Sequence, residues 1–420
     1  MRILKTTQTY YPYLSKGGPP AKVRAIARGL ARRGHEVTVL TADLDQEQEA
    51  GRGGRSRRQA LEAGAERASG ANDADGGSRK SSARSWESRD DGVKAIYLRT
   101  LQNYRATTIN PQILSFCARR LRDYDVVHIY GLYDLFGSIA AWFCRRREIP
   151  YVLEPIGMFG PKVRSQKKKR LYRKLIGDAL FEGASVVVAN SDTERRELID
   201  SGIPEEKIVL RRNGIDLAEF QTLPARGAFR AKHNLDDKTP LILFLGRISF
   251  IKGLDHLVKA FAQLAQVHRD ARLVIAGPDD EDGCARAVHE LIEQFHLRER
   301  VRLAGPLYGD EKLQAFVDAD FVVLPSRYES FGNVAAEAIA SGTPVLVTDQ
   351  CGIAPLIEGS AGLVVSCDVE SLRDGLKRLV EEKNLLAQLC ARCVQVAKDL
   401  SWDEPVETME RLYESLIEPE

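Results

Sequence analysis

Short apolar segments rich in β-branched residues alternate with amphipathic stretches along almost the whole chain, and this alternation limits the possible folds more than any other feature. In the first half the apolar segments occupy residues 2–7, 35–41, 94–98, 125–130, 150–154 and 185–190. In the second half they occupy residues 241–247, 272–277, 301–305, 320–326, 344–348 and 362–366. Continuous apolar runs are typical of strands covered on both faces, which occur in parallel sheets flanked by helices. Two such series in tandem predict an α/β protein with two doubly wound domains.

The boundary between the two series is predicted within the polar segment 213–238. We assign residues 1–218 to an N-terminal domain and residues 219–400 to a C-terminal domain. The last residues, 401–420, are predicted to form an amphipathic helix with Ser401 as its N-cap.

Residues 45–92 interrupt the first series. They are rich in Gly, Arg, Ser, Ala and Glu and have almost no large apolar side chains after Leu61. Such a segment cannot bury enough apolar surface to offset the entropy lost on ordering, so it predicts a disordered insertion. A short helix at 56–68 is the alternative.

Composition narrows the functional classes. The chain has 420 residues and a net charge of +2, so bulk charge gives no support for a nucleic-acid partner. Its seven cysteines are odd in number, which favours reduced thiols over a disulfide framework or a zinc site. The sequence opens directly on a predicted strand and has no apolar run long enough to cross a membrane. These features predict a cytoplasmic protein, with membrane contact only at the surface.

The segment "GRISFIKG", which follows the predicted strand 241–247, has the composition of a phosphate site. Arg247 offers a guanidinium fork and Lys252 a point charge, and Gly253 permits an unusual backbone angle before the next helix. Because ligands bind at the carboxyl ends of parallel strands, the two cations favour a diphosphate ligand. A turn with two solvated cations is the alternative.

The segment "RYESFGNVAAE" follows strand 320–326 and contains two glutamates eight positions apart. We expect Glu329 in a loop and Glu337 inside the following helix. A helical separation of eight residues corresponds to roughly 12 Å. The two carboxyl groups of a glycosidase lie about 5–5.5 Å or about 6.5–9.5 Å apart. The spacing therefore disfavours an acid/base pair across one glycosidic bond.

Other candidate features are weaker. Gly17 and Gly18 lie at a strand-to-helix turn, which lets a backbone approach a ligand closely, although a plain flexible loop is an equal alternative. His128 lies near the end of strand 125–130, where a packed core histidine is more common than a base. Lys and Arg alternate with apolar residues in 161–174, which favours an anionic membrane surface or acidic acceptor over a solvated helix face. The acidic segment "PDDEDG" has no His or Cys companions, so no metal site is predicted.

Several separate segments together resemble the retaining glycosyltransferases of family 4, also called glycosyl transferases group 1. The resemblance includes "GRISFIKG", the long segment around "RYESFGNVAAE", "KGGPPAKV", "DVVHIYG", "ANSDTERREL" and "RRNGIDLAEF". It covers nearly the whole chain outside 45–92. It implies the GT-B fold, in which two Rossmann-like domains face each other across a cleft and a C-terminal helix returns to the N-terminal domain.

The resemblance also implies roles for individual residues. Arg247 and Lys252 would hold the donor diphosphate, Glu329 would contact the donor sugar and Glu337 the ribose. Further donor-binding residues implied by the resemblance are Gly17, Gly18, Gly246, Phe331, Gly332 and Asn333. The resemblance further implies a reaction that needs no metal or other cofactor. The partners it implies are a nucleotide-sugar donor, either a UDP- or a GDP-sugar, and a glycan or lipid-linked acceptor in polysaccharide or cell-envelope synthesis.

One position departs from the family pattern. Members commonly have a histidine where this chain has Ile156, and that histidine lies at the donor sugar. Ile156 cannot hydrogen-bond or carry a proton, so we consider His128 as the substitute catalytic group. A catalytically silent nucleotide-sugar-binding partner is the main alternative function. A GT-B epimerase or phosphorylase is a third, for which the sequence offers no motif.

Overall fold

The computed structural model describes residues 1–12, 18–43, 85–104, 107–132, 134–157 and 177–417. Within them the chain divides into two compact units. Unit 1 comprises residues 1–189, 195–211 and the C-terminal residues from Asp403 onward. Unit 2 comprises Asn190–Glu194 and Arg212–Trp402.

Unit 1 is built on an eight-stranded sheet with the order β10-β9-β8-β7-β1-β2-β4-β3. The strands are β1 Arg2–Thr7, β2 Glu36–Asp43, β3 Trp86–Asp90, β4 Val93–Arg99, β7 Val126–Tyr130, β8 Tyr151–Glu154, β9 Val186–Ala189 and β10 Ile208–Leu210. A separate hairpin is formed by β5 Gln102–Tyr104 and β6 Thr107–Ile109. All pairs in the large sheet are parallel except β3 with β4.

The helices of unit 1 cover this sheet and one of them comes from the end of the chain. They are α1 Gly18–Arg32, α2 Gln112–Arg120, α3 Leu135–Arg147, α4 Asp178–Gly183, α5 Asp192–Asp200, whose first turn belongs to unit 2, and the last helix of the chain, Asp403–Ile417. That last helix packs on α1 so closely that a Cβ on Gly29 would lie 2.5 Å from Val406. It begins at Asp403, not after Ser401, because Ser401 pairs with Ile215 in an isolated bridge.

Unit 2 contains a six-stranded parallel sheet with the order β13-β12-β11-β14-β15-β16. Its strands are β11 Leu241–Leu245, β12 Arg272–Ala276, β13 Val301–Gly305, β14 Phe321–Leu324, β15 Val345–Thr348 and β16 Gly362–Val365. Its helices are α6 Ala228–Lys232, α7 Leu254–Val267, α8 Cys284–Gln294, α9 Gly309–Asp318, α10 Asn333–Ala340, α11 Ala354–Ile357, α12 Val369–Glu381 and α13 Lys383–Asp399. The helix Asp403–Ile417 of unit 1 is therefore α14.

The alternation of side chains along each strand fills two cores in unit 2. Leu241 and Leu243 belong to the core on one face of the sheet, and Ile242 and Phe244 belong to the core on the other. Strand side chains point alternately to opposite faces, so a strand that is apolar at every position can serve both cores. The prediction of two doubly wound parallel sheets is confirmed.

The prediction that residues 45–92 form a disordered insertion is wrong for the last residues of this range. Residues Trp86–Asp90 form edge strand β3, antiparallel to β4. Asp90 is buried and accepts hydrogen bonds from Arg24 at 2.8 Å and from Arg28 at 2.6 Å. Trp86 stacks on Tyr97 with ring centroids 3.7 Å apart, so ion pairs and aromatic packing together hold this end. The remaining residues of the insertion, and the alternative helix at 56–68, lie outside the described residues. All seven cysteines lie within the described residues, and none of them forms a disulfide.

Candidate active site

Two loops of unit 2 meet at the carboxyl edge of its sheet, after the neighbouring strands β11 and β14. A Cβ on Gly253 would lie 1.9 Å from the carbonyl oxygen of Pro325, and Gly253 has a φ of 69°. Only glycine tolerates both the contact and the backbone angle. The Arg327 N–H also donates to the Ile251 carbonyl oxygen at 2.8 Å. The loop with Lys252 is thereby fixed against the loop with Glu329.

Lys252 and Glu329 form an ion pair within this junction. Both side chains are 18% exposed, so the pair is accessible from one side and shielded from the other. The backbone of Glu329 is held as well, because its N–H donates to Gln350 and its carbonyl accepts from Gly352 at 2.9 Å. The sequence placed these two residues after different strands, and the structure brings them together.

Arg247 extends from the same loop into a more open environment. Its side chain is 56% exposed, and its Nη1 donates to Oδ2 of Asp280 at 2.7 Å. Asp280 belongs to the acidic segment after β12, whose contact with Arg247 sequence reasoning missed. The two loops approach so closely that a Cβ on Gly277 would lie 1.7 Å from the carbonyl oxygen of Gly246. Gly246 therefore contributes close backbone packing next to Arg247.

Glu337 lies inside helix α10, which is the helix expected after the loop that contains Glu329. Its Oε1 lies 3.1 Å from Nζ of Lys312, which is in the first turns of α9. The two glutamates of "RYESFGNVAAE" thus have different lysine partners, in keeping with different roles. Sequence reasoning missed Lys312, although its position just after β13 was a signal, since that strand ends at the same edge of the sheet.

The residues between the two glutamates build the start of α10. The Phe331 side chain is buried in the core, and its carbonyl oxygen accepts from the Ile353 N–H at 2.7 Å. Gly332 precedes the helix with a φ of 115°. The Asn333 side-chain oxygen accepts from Asn213 at 3.3 Å. Phe331 can therefore offer a ligand only its backbone.

Arg327 supports this site through Asp255, a role that sequence reasoning missed. Its guanidinium donates to both carboxylate oxygens of Asp255 at 2.7 Å each. A two-pronged pair of this kind fixes orientation as well as distance. It joins the loop after β14 to the first turn of α7.

Unit 1 has a buried charge cluster at the end of β8, around Glu154. The Glu154 carboxylate lies 2.5 Å from Arg211, 2.9 Å from Lys22 and 3.4 Å from Nε2 of His128. Burial alone would raise the pKa of Glu154, but Arg211 and Lys22 outweigh it and hold that pKa well below its usual range. We call Glu154, Arg211, Lys22 and His128 the Glu154 cluster.

The cluster continues into α14 through hydroxyl groups. Nζ of Lys5 donates to Tyr130 at 3.1 Å and to Tyr413 at 2.9 Å, and Nδ1 of His128 lies 2.6 Å from the Tyr413 hydroxyl. Burial lowers the pKa of Lys5 to about 7 and that of His128 to about 3. These groups connect β1 and β7 to the last helix.

His128, the predicted substitute for the family histidine, lies inside the core of unit 1. Its side chain is completely buried within β7, stacked on Tyr130 with ring centroids 4.1 Å apart. Burial also favours its neutral form, as the low pKa shows. That His128 replaces the family histidine stays a prediction, to which this enclosed position gives no support.

The other predicted site residues of unit 1 lie next to, or inside, segments that the structure does not describe. Gly18 is the first residue of α1, whereas Gly17 and the basic segment 161–174 lie outside the described residues. Ile156 follows β8 with a φ of 51°, and Gly157 has a φ of 74°. A β-branched residue in the left-handed region is strained.

Two sequence families match the chain. Residues 225–399 match the family described as Glycosyl transferases group 1, and residues 17–214 match the Glycosyl transferase 4-like domain. A D-inositol 3-phosphate glycosyltransferase of Kineococcus radiotolerans is 31% identical over 318 residues, which are 71% of this chain and 73% of that relative. The chain belongs to the group 1, or family 4, glycosyltransferases.

Solved structures share the fold of this glycosyltransferase. The sucrose-phosphate synthase of Thermosynechococcus elongatus has a TM-score of 0.71 at 22% identity, with 99% of this chain and 98% of that chain covered. HepE of Anabaena, solved with UDP and glucose, has a TM-score of 0.72 at 18% identity, with coverages of 99% and 100%. The GT-B fold is therefore confirmed, and the enzyme is a nucleotide-sugar-dependent transferase.

Among the described residues of the glycosyltransferase, one group could offer three ligands to a metal ion, namely His35, Glu410 and Glu414. The Arg33 guanidinium lies 2.5 Å from Glu410 in the same place, so a cation already neutralises that carboxylate. Metal independence stays a prediction. No helix in the described part of the chain is both long and apolar enough to span a membrane.

Proposed function

We propose that this glycosyltransferase moves a hexose from a UDP- or GDP-sugar to a lipid-linked or polysaccharide-precursor acceptor, with retention of configuration and without a metal. One observation carries the proposal. Lys252 and Glu329 meet at the carboxyl edge of two neighbouring strands, with Arg247 in the same loop as Lys252. A cation and a carboxylate side by side suit a ligand that has a diphosphate next to a sugar hydroxyl.

The donor would lie along the edge of the sheet. Arg247 and Lys252 would bind the diphosphate, and Glu329 would accept hydrogen bonds from the sugar. Glu337, held by Lys312, would accept hydrogen bonds from the ribose hydroxyls. The diphosphate gains negative charge as the sugar departs, so cations fixed in advance stabilise the transition state more than the bound substrate.

The same two cations support metal independence. A divalent ion in a sugar transferase would serve to neutralise the departing diphosphate, and Arg247 with Lys252 can supply that charge instead. The proton of the acceptor hydroxyl would pass to the departing phosphate oxygen. Ile156 cannot accept it and His128 is enclosed, which supports transfer to the phosphate on the same face of the sugar. Retention follows from attack on that face.

The relatives suggest the probes for substrate identity. HepE of Anabaena was solved with UDP and glucose, and the Kineococcus relative is a D-inositol 3-phosphate glycosyltransferase. We therefore propose UDP-hexoses as the first donors to test. Inositol phosphate is the second candidate acceptor class after lipid-linked glycans.

Thermal unfolding with UDP-, GDP- and ADP-sugars tests the donor site. A ligand present at 100 times its dissociation constant stabilises the folded protein by about 2.7 kcal/mol. We expect one nucleotide class to raise the unfolding temperature, and Lys252→Ala to abolish most of that rise. The exposed Lys377 on α12 gives the matched control, Lys377→Ala, which should respond as the wild type does.

Two outcomes would contradict the proposal. No shift with any nucleotide sugar would exclude the donor site. A shift with no transfer and no slow donor hydrolysis, over lipid-linked glycans and inositol phosphate alike, would favour the silent binding partner.

A further inference from the structure

An apolar surface on unit 1 has no role in the proposed donor chemistry. The described residues expose eleven large apolar side chains, and five of them lie in the stretch from the β5–β6 hairpin to α3. They are Leu101, Ile109, Leu114, Leu135 and Trp142. Leu114 and Trp142 are each 51% exposed. Concentrated apolar exposure of this kind marks an interaction surface.

A groove of about 210 Å³ lies at the centre of this surface. Its lining is mainly apolar and includes Ile109, Ile113, Leu114, Leu135, Phe136 and Ile139. The groove joins the N-terminal ends of α2 and α3, and α3 starts just after the carboxyl end of β7. It therefore lies at the edge of the sheet where parallel α/β proteins bind their ligands.

The two helices run side by side in the same direction. Their N-terminal ends share the groove, and near their C-terminal ends Arg147 of α3 donates to the carbonyl oxygens of Cys117 and Ala118 in α2, at 2.9 and 2.6 Å. Along α3, Leu135, Trp142 and Arg146 recur at a spacing that puts them on one stripe. Leu135 and Arg146 are eleven residues apart, which is roughly 16 Å of helix.

Charge is distributed unevenly along this stripe. Residues 107–118 and 134–144 contain one charged side chain, Asp134, which is buried as the N-cap of α3. The C-terminal ends of the helices carry exposed arginines, namely Arg119, Arg120, Arg145 and Arg146. The Arg146 guanidinium lies 4.6 Å from the centre of the Trp142 ring. An apolar end thus leads through tryptophan to a mainly cationic cluster, in which Arg120 is paired with Asp123 at 3.3 Å.

We propose that this face, formed by α2, α3 and the hairpin, docks on an anionic membrane surface. Apolar side chains at one end can enter the boundary of the acyl chains, and tryptophan prefers the headgroup level. If Leu135 enters the membrane first, Arg146 lies about 16 Å further along α3, where the arginine side chains can contact lipid phosphates. A protein partner with a matching apolar patch would not require this sequence of apolar, aromatic and cationic groups. The purpose of docking, access to a lipid-linked acceptor, rests on the proposed function.

Co-sedimentation of the full chain with vesicles tests the proposal without any sugar or nucleotide. The probes are vesicles of phosphatidylcholine alone and of equal parts phosphatidylcholine and phosphatidylglycerol. We expect stronger binding to the mixed vesicles, weakened by salt. Leu114→Glu with Trp142→Glu should lower the bound fraction at least about tenfold, because charge is expelled from the interface. Val267→Glu with Val394→Glu, at exposed apolar positions of unit 2, is the matched control and should bind as wild type.

A second variant separates charge from apolar contact. Arg145→Gln with Arg146→Gln should remove most of the preference for phosphatidylglycerol and leave weak binding to phosphatidylcholine. The proposal would be overturned if the Leu114/Trp142 variant bound vesicles as the wild type does. It would also be overturned if vesicle binding were lost only when the cations of 161–174 were neutralised. A third contradicting outcome is a wild-type dimer that the Leu114/Trp142 variant converts to a monomer, since a second copy of the chain would then cover the face. Donor-induced thermal shifts must persist in every variant, which separates this result from a failed donor site.

Discussion

The two units handle buried charge in different ways. In unit 1 the Glu154 carboxylate gathers Arg211, Lys22 and His128 in a place that solvent does not reach. In unit 2 Glu329 and Glu337 each face one lysine and keep about a fifth of their side chains exposed. A buried cluster has no alternative partners, so it can only stabilise one conformation. A partly exposed pair can exchange its partner for a ligand, and such pairs are the ones at the proposed donor site.

The largest expected effect is on the stability of unit 1. Glu154→Gln would remove the buried negative charge that Arg211 and Lys22 share, which should cost about 3–5 kcal/mol of unfolding free energy in urea titration. Glu337→Gln, which breaks a half-exposed pair in unit 2, should cost about 1 kcal/mol or less.

A double variant guards against simple misfolding of Glu154→Gln. Adding Lys22→Met removes one of the uncompensated cations, so the double variant should be more stable than Glu154→Gln alone. If the losses of unfolding free energy caused by Glu154→Gln and by Lys22→Met simply added in the double variant, Glu154 and Lys22 would not act as a pair.

The second effect separates activity from stability at the donor site. Lys252→Ala should reduce kcat/KM about 100- to 1000-fold, as loss of a fixed transition-state donor does. Its unfolding free energy should change by about 1 kcal/mol or less, since the pair is partly exposed. Steady-state kinetics with the donor identified by thermal shift provide the measurement, with Lys377→Ala as the unaffected control. Activity within a few-fold of wild type would remove Lys252 from the mechanism.

Low pH should reduce the stability of unit 1 through the Glu154 cluster. Burial lowers the pKa of His128 from 6.5 to about 3, so the unfolded chain binds a proton that the folded chain excludes between these values. The unfolding free energy should therefore fall as pH drops below about 6.5, by up to about 1.4 kcal/mol per pH unit. The depressed pKa of Glu154 adds a further loss once pH falls below its unfolded value of 4.5.

Urea titrations between about pH 7 and about pH 5 give the histidine contribution only as a difference between variants, because burial raises the pKa of Asp134 to about 6 and its protonation acts in the opposite direction in the same range. His128→Phe keeps an aromatic ring against Tyr130 and should flatten the dependence in this range. His256→Gln, at a partly exposed histidine of unit 2, should flatten it much less. Equal slopes in wild type and His128→Phe would show that His128 is not the group responsible.

The smallest effect concerns backbone strain after β8. Ile156→Asn should raise the unfolding free energy by about 1 kcal/mol, because asparagine adopts a φ near 51° with less strain than a β-branched residue. Ile156→Val retains the branch and should change stability by about 0.5 kcal/mol or less. A loss on Ile156→Asn would mean that apolar contacts of the side chain outweigh the strain.

The sequence predicted the sheets well because their strands are continuously apolar. All twelve apolar segments became strands, from β1 to β16. The four strands it missed, β3, β5, β6 and β10, are short or lie at an edge, where half of the side chains face water. β3 illustrates the reason, because its exposed and buried residues alternate and its buried end is the charged Asp90.

The candidate site was predictable only in part. The carboxyl-edge rule located Arg247, Lys252 and Glu329, since it depends on strand order along the chain. It did not reveal that Lys252 contacts Glu329, nor that Lys312 contacts Glu337, because such pairs depend on how far a loop or helix turns after its strand. Nor did it reveal that His128 is buried, since burial cannot be judged from the end of an apolar run.

The hydrogen bond from Lys5 to Tyr413 joins residues 408 positions apart. During synthesis, 408 further residues must follow Lys5 before its ammonium group can donate to Tyr413, although Tyr130 is made much earlier. Until then the nascent N-terminal sheet holds a charged lysine with no partner from α14, whereas every strand of unit 2 can pair as soon as it emerges. Although domains emerging from the ribosome generally fold from the N-terminus first, the closing step of unit 1 comes only after unit 2 has been made. Strand β1 precedes every other described strand in the chain, and yet it is among the last to reach its final environment.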